Sequence, residues 1–106
     1  FGLRVLELVR PFSGVVKPQA AFFEQLGPAG VDTLHALLAA ARAIGFVTIL
    51  DAKRGDIAST AEAYAAAAFE ALTADSLTVN PYLGEDAVEP FVAAARRHNG
   101  GLFVLV

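Results

Sequence analysis

The sequence predicts an α/β fold in which parallel strands are joined by helices. Three observations carry that expectation. Four short apolar runs, at 13–17, 46–51, 77–80 and 101–106, recur along the chain, and longer stretches of helical periodicity separate them. None of the four runs alternates cleanly between apolar and polar residues, which suits strands covered on both faces. The resulting order β-α-β-α-β-α-β implies parallel neighbours with right-handed crossovers.

Each element has its own justification. Residues 1–9 read as the tail of an earlier helix. Residues 13–17 (Ser-Gly-Val-Val-Lys) read as the first strand, stopped by Pro18. In the helix that follows, Val31, Leu34, Leu37, Leu38, Ala41 and Ile44 share one face, and Gly45 supplies the C-terminal stop. The β-branched run 46–51 is bounded by Gly45 and by Gly55, where a sharp turn is expected. Ser59-Thr-Ala-Glu62 is a capping-box pattern opening an Ala-rich helix that runs towards Thr73. The third strand ends at Pro81. Asp86 and Glu89 form a second such box, with Pro90 expected in the first turn, where a missing N–H costs little. Asn99-Gly100 closes that helix before the fourth strand.

A (β/α)₈ barrel takes about 250 residues, so four strands would make about half of one. The competing architecture is a complete small doubly wound sheet. No linker, low-complexity stretch or internal repeat divides the chain, so residues 1–106 are expected to be a single domain. Without an initiator Met, and with a last run that stops mid-strand, both ends look cut.

Composition narrows the function. The chain is 56% hydrophobic, which fits buried strands under helices and not disorder. A net charge of −3 lacks the basic footprint of a nucleic-acid binder. Cysteine is absent, which removes disulfides, thiolate nucleophiles and thiolate metal ligands. No apolar run approaches the ~18 residues that span a bilayer, and the first residues lack the anatomy of a signal peptide. A cytoplasmic protein without membrane or nucleic-acid partners is the expectation.

The chemistry concentrates at one strand end. On an extended strand, Val47, Ile49, Asp51 and Lys53 point to the same side, so an apolar column finishes in an ion pair. In parallel α/β folds, active sites sit at the C-terminal strand ends. Asp56 follows three residues after Lys53, and two carboxylates flanking an ammonium would hold it charged. Each pair would interact by roughly 4 kcal/mol at ~4 Å and an effective dielectric of ~20, before any desolvation cost. An ordinary surface loop with weak salt bridges is the plainer reading, and the preceding buried strand is what favours a site. Lys17 ends another buried strand in the same relative place and joins the group as a plausible fourth member.

Asp51-x-Lys53-x-x-Asp56-Ile57 resembles the hallmark of the orotidine 5′-monophosphate decarboxylases. Two longer runs, Val16-Lys-Pro-Gln-Ala-Ala-Phe-Phe-Glu24 and Thr78-Val-Asn-Pro-Tyr-Leu-Gly84, resemble the bacterial branch and stand in the family's order. The resemblance implies a homodimeric (β/α)₈ TIM barrel, of which this chain would cover roughly strands 2 to 5. It implies conversion of orotidine 5′-monophosphate to UMP and CO₂ in pyrimidine biosynthesis, with no metal or organic cofactor. Lys53 would stabilise and protonate the carbanion at C6, and Asp51 would hold Lys53 beside the departing carboxylate. Lys17 would bind Asp51 and a ribose hydroxyl. Asp56, Ile57 and Thr60 would reach into the partner subunit's site. The family's first-strand Asp, its pyrimidine-reading residues and its phosphate-gripping Gln and Arg fall outside the chain, so these 106 residues alone are not expected to turn over substrate.

Two rivals remain at this level. Magnesium-dependent sugar-phosphate lyases of the same barrel group share the Asp-x-Lys-x-x-Asp pattern, but they place an acidic ligand where this chain has Lys17. A non-catalytic α/β remnant or assembly module is the other. His35 and His98 are set aside as helix residues, the latter explained by the helix dipole. Glu62 and Glu89 read as caps, Tyr64 as packing, and Arg54 as solvent-facing or interfacial. Asn80 and Tyr82 could line a site wall. No GxGxxG or Walker pattern occurs, so a nucleotide cofactor is not indicated.

Overall fold

The computed structural model describes residues 1–106. Helix α1 (Gly2–Val9) precedes the two-residue strand β1 (Val15–Val16), the short helix α2 (Ala20–Glu24) and the long helix α3 (Pro28–Ile44). Strand β2 (Val47–Arg54) leads to α4 (Ala58–Ala66), which continues as one π-helical turn, Ala67–Ala71. Strand β3 (Ser76–Val79), helix α5 (Glu85–Arg97) and strand β4 (Gly101–Val104) complete the chain. All three strand pairings are parallel and the sheet order is β1-β2-β3-β4. The expected topology is therefore observed, with α2 as an additional helix that the sequence did not announce.

Register separates the two faces of the sheet. Val16 pairs with Thr48, Leu50 with Leu77, and Leu77 with Leu102, so these residues share one face. Helices pack on that face: Leu34 and Leu38 of α3, Ala61 and Ala65 of α4, and Phe91, Ala94 and Ala95 of α5 form one core with Leu50, Leu77 and Val79. Burying a Leu or Phe side chain contributes about 1.5–3 kcal/mol, so this Ala-lined seam with Leu38, Leu77 and Phe91 at its centre anchors the helices. The opposite face carries Val15, Val47 and Phe103, all substantially exposed. The expectation that both faces are covered thus holds only for the helix side within this chain. Of the proposed α3 stripe, Leu34, Leu38 and Ala41 are buried while Val31 and Ile44 are exposed.

Helix ends differ from the sequence reading in instructive ways. Neither proposed capping box forms a side-chain cap bond. Asp56 Oδ1 accepts the Ile57 N–H at 2.8 Å, and α4 starts at Ala58, so Ser59 falls inside the helix and Glu62 caps nothing. Gly84, at φ 101°, is the N-cap of α5. The helix thereby begins two residues earlier than expected, which puts Asp86 in its first turn and Pro90 in its body. A proline there leaves the carbonyl four residues earlier without its helical donor. Gly45, at φ 96°, ends α3 as expected, in a left-handed conformation that costs a glycine little.

Candidate active site

Strand β2 delivers the site. Its apolar positions on the face away from the helices, Val47 and Ile49, lead to Asp51, which is 5% exposed. A buried carboxylate needs partners, and Asp51 has four. Lys17 Nζ lies 2.6 Å from Oδ2, and Gln19 Nε2 donates to the same oxygen at 3.1 Å. Lys53 Nζ lies 2.5 Å from Oδ1, and Thr78 Oγ1 donates to that oxygen at 3.0 Å. Each carboxylate oxygen thus receives one ammonium and one neutral donor. The backbone ties the strands here too: Asp51 N–H donates to the Pro18 carbonyl at 3.0 Å.

These contacts fix the charge state. The Lys17 hydrogen bond, then that of Lys53, hold the Asp51 carboxyl far below the usual carboxylate range. Thr78 adds to the effect, and burial opposes it without prevailing. With one anion between two cations, the cluster presents net positive charge, and both lysine side chains are about half exposed. Such a cluster can receive an anionic ligand and stabilise negative charge developing beside Lys53.

Lys53 reaches Asp51 by a route the alternation rule does not contain. Its φ is 49°, a left-handed conformation uncommon for a lysine, and the β2–β3 register shifts between Leu50 and Arg54. Bulges next to sites re-aim a side chain, and here the bulge is held by Thr78 Oγ1. That oxygen accepts the N–H groups of Ala52 at 3.0 Å and Lys53 at 2.8 Å. Gly55, just beyond, has no positive φ. It is required for a different reason from the expected turn: a Cβ there would stand 2.7 Å from the Asn80 carbonyl oxygen.

The remaining candidates lie around this centre. Asp56 forms no ion pair within the chain and does not pair with Lys53 there; its carboxylate turns back to the Ile57 N–H. Ile57 is 64% exposed, and Thr60 is exposed on the first turn of α4. Arg54 is neither simply solvent-facing nor free: it pairs with Glu24 and its guanidinium lies 4.9 Å from the Tyr64 ring centroid. His98 stacks on Phe69 with its Nε2 3.5 Å from Glu70, remote in role from the cluster. Asn80 Oδ1 accepts the Tyr82 N–H at 3.0 Å, so it shapes the loop after β3. Sequence reasoning missed Gln19 and Thr78. The signal existed, since Gln19 follows Lys17 by two residues. The pairing of Leu50 with Leu77 also carries Thr78 to the side of Asp51.

Residues 3–106 match the family profile described as Orotidine 5′-phosphate decarboxylase / HUMPS family. A Nocardioides protein named orotidine 5′-phosphate decarboxylase is 47% identical over 108 residues, covering 99% of this chain and 40% of its own length. One of the same name from Deinococcus radiodurans is 51% identical over 105 residues, covering 98% of this chain and 39% of its own. The structure of Leishmania donovani OMP decarboxylase superposes with a TM-score of 0.89 at 42% identity, covering 97% of this chain and 40% of that one. The chain therefore spans about 40% of the length of the relatives it matches. Its four parallel strands with helices on one side are an arc of a (β/α)₈ barrel. No helix is long and apolar enough to cross a membrane. The family and the cluster agree, and the chain belongs to the orotidine 5′-phosphate decarboxylase / HUMPS family.

Proposed function

We propose that the full-length protein decarboxylates orotidine 5′-monophosphate to UMP and CO₂, as a cytoplasmic homodimer without a metal or organic cofactor. The observation that carries this reading is the Lys17–Asp51–Lys53 cluster at the C-terminal strand ends, with both ammonium groups on one buried carboxylate. Cleavage of the C6–carboxylate bond releases CO₂ and leaves the electron pair on C6. That carbanion has no electron sink in the pyrimidine, so fixed charge must stabilise it. Lys53 stabilises the anion and donates its proton to C6, and solvent restores the lysine's proton afterwards. Asp51 stays ionised, holds Lys53 in place and faces the departing carboxylate. Lys17 holds Asp51 from the other oxygen and binds a ribose hydroxyl. Asp56, Ile57 and Thr60 serve the partner's site, which accords with Asp56 lacking an ion pair in its own chain.

Incubating full-length protein with orotidine 5′-monophosphate and following UMP by chromatography tests the reading. Turnover that survives EDTA is expected. Activity on a sugar phosphate that requires Mg²⁺ would favour the rival lyase reading, which the Lys17 ammonium already disfavours by occupying the strand end where an acidic ligand would stand. No activity on either substrate would favour a non-catalytic α/β module.

A further inference from the structure

We propose that Thr78 is a positioning residue for the decarboxylation, setting the Asp51 carboxylate and the Lys53 backbone through a single hydroxyl. The inference rests on the reaction proposed above. A hydroxyl has one donor and two acceptor sites, and the Thr78 hydroxyl uses all three. It donates to Asp51 Oδ1 at 3.0 Å and accepts from Ala52 N–H at 3.0 Å and Lys53 N–H at 2.8 Å. Thr78 is 8% exposed, which leaves water little access to replace these bonds.

The geometry makes the hydroxyl more than an extra hydrogen bond. Lys53 sits at φ 49°, on the shifted part of β2, and such outliers persist only where their surroundings impose them. Its backbone N–H is held by Thr78 while its Nζ is held by Asp51, itself oriented by Thr78. Both ends of the lysine are therefore referred to one atom on the neighbouring strand. Without that atom, two N–H groups lose their acceptor and the strand can relax towards regular extension. Lys53 then shifts relative to the reacting carbon, and small misplacements of a reacting group are costly. Thr78 itself, buried on β3, has no need to touch substrate, so its loss belongs in kcat.

The test uses full-length enzyme, with active sites counted by calorimetric titration with UMP. Thr78→Val keeps the shape and removes the hydroxyl. Its kcat per UMP-binding site should fall about ten- to a hundredfold, the worth of hydrogen bonds to charged groups, while KM stays within about twofold. Thr78→Ser, which keeps the hydroxyl, should restore kcat to within about threefold of wild type. If Thr78→Val does not fold, Thr78→Cys takes its place, because a thiol is a weak donor and acceptor; it should show an intermediate loss in kcat alone. Wild-type kcat in the Val or Cys variant would overturn the proposal. So would a loss explained wholly by fewer UMP-binding sites, or one shared equally by Thr78→Ser. Wild-type enzyme with no decarboxylase activity would instead overturn the proposed reaction, and a kinetic role for Thr78 with it.

Discussion

Lys17 and Asp51 are separated by 34 residues in sequence, yet Lys17 Nζ lies 2.6 Å from Asp51 Oδ2. The parallel pairing of β1 with β2 creates this contact, because Val15 and Val47 are in register and the bridge continues to Gln19 and Asp51. A lysine that would be unremarkable alone thus becomes one half of the cationic clamp on a buried acid.

That clamp makes stability depend on acid pH. Asp51 is depressed in the folded chain, whereas an unfolded aspartate titrates near 3.9. Its contribution is therefore present above about pH 4 and is lost as pH falls below, where the unfolded state takes up the proton first. Denaturant unfolding of the full-length protein should show a steeper loss between about pH 4 and 2 in wild type than in Asp51→Asn. One proton sets the difference, at up to about 1.4 kcal/mol per pH unit. Equal slopes would show that Asp51 is not held ionised.

Gly55 should tolerate no side chain. A Cβ 2.7 Å from the Asn80 carbonyl oxygen meets backbone, not a flexible tip, and Asn80 N–H is tied to the Arg54 carbonyl at 2.8 Å. Gly55→Ala should cost about 1–3 kcal/mol, the usual range for forced overpacking. It should also lower kcat, because the β2 bulge adjoins it. A denaturation midpoint unchanged from wild type would contradict the packing argument.

Asp56 should act across the dimer. Homodimers of Lys53→Ala and of Asp56→Asn should each be nearly inactive. Subunit exchange should give heterodimers with one doubly damaged site and one intact site. Random 1:1 exchange makes half the dimers mixed, so activity should recover to roughly a quarter of wild type. No recovery in a mixture shown by mass spectrometry to contain heterodimers would place Asp56 in its own subunit's site.

Much of the fold was legible because strand and helix periodicities differ and the chain uses both plainly. The strand order followed from the β-α alternation, and Asp51 with its two lysines followed from strand-end placement. What escaped depended on local geometry that periodicity does not encode. The Asp56 turn and the left-handed Gly84 moved two helix starts, which emptied both capping boxes. The bulge at Lys53 broke the simple alternation while still delivering its ammonium to Asp51. Thr78 and Gln19 were missed because a neutral side chain shows its importance only once register gives it a charged neighbour.

The most direct measurement is kcat for orotidine 5′-monophosphate in the full-length Lys53→Ala variant, with its fold verified by circular dichroism. The proposed reaction asks Lys53 both to stabilise the carbanion and to protonate it, so turnover should fall below detection while the fold is retained. A variant keeping a tenth of wild-type kcat, a barrier change of only ~1.4 kcal/mol, would contradict the role assigned to Lys53 and the charge network built around it.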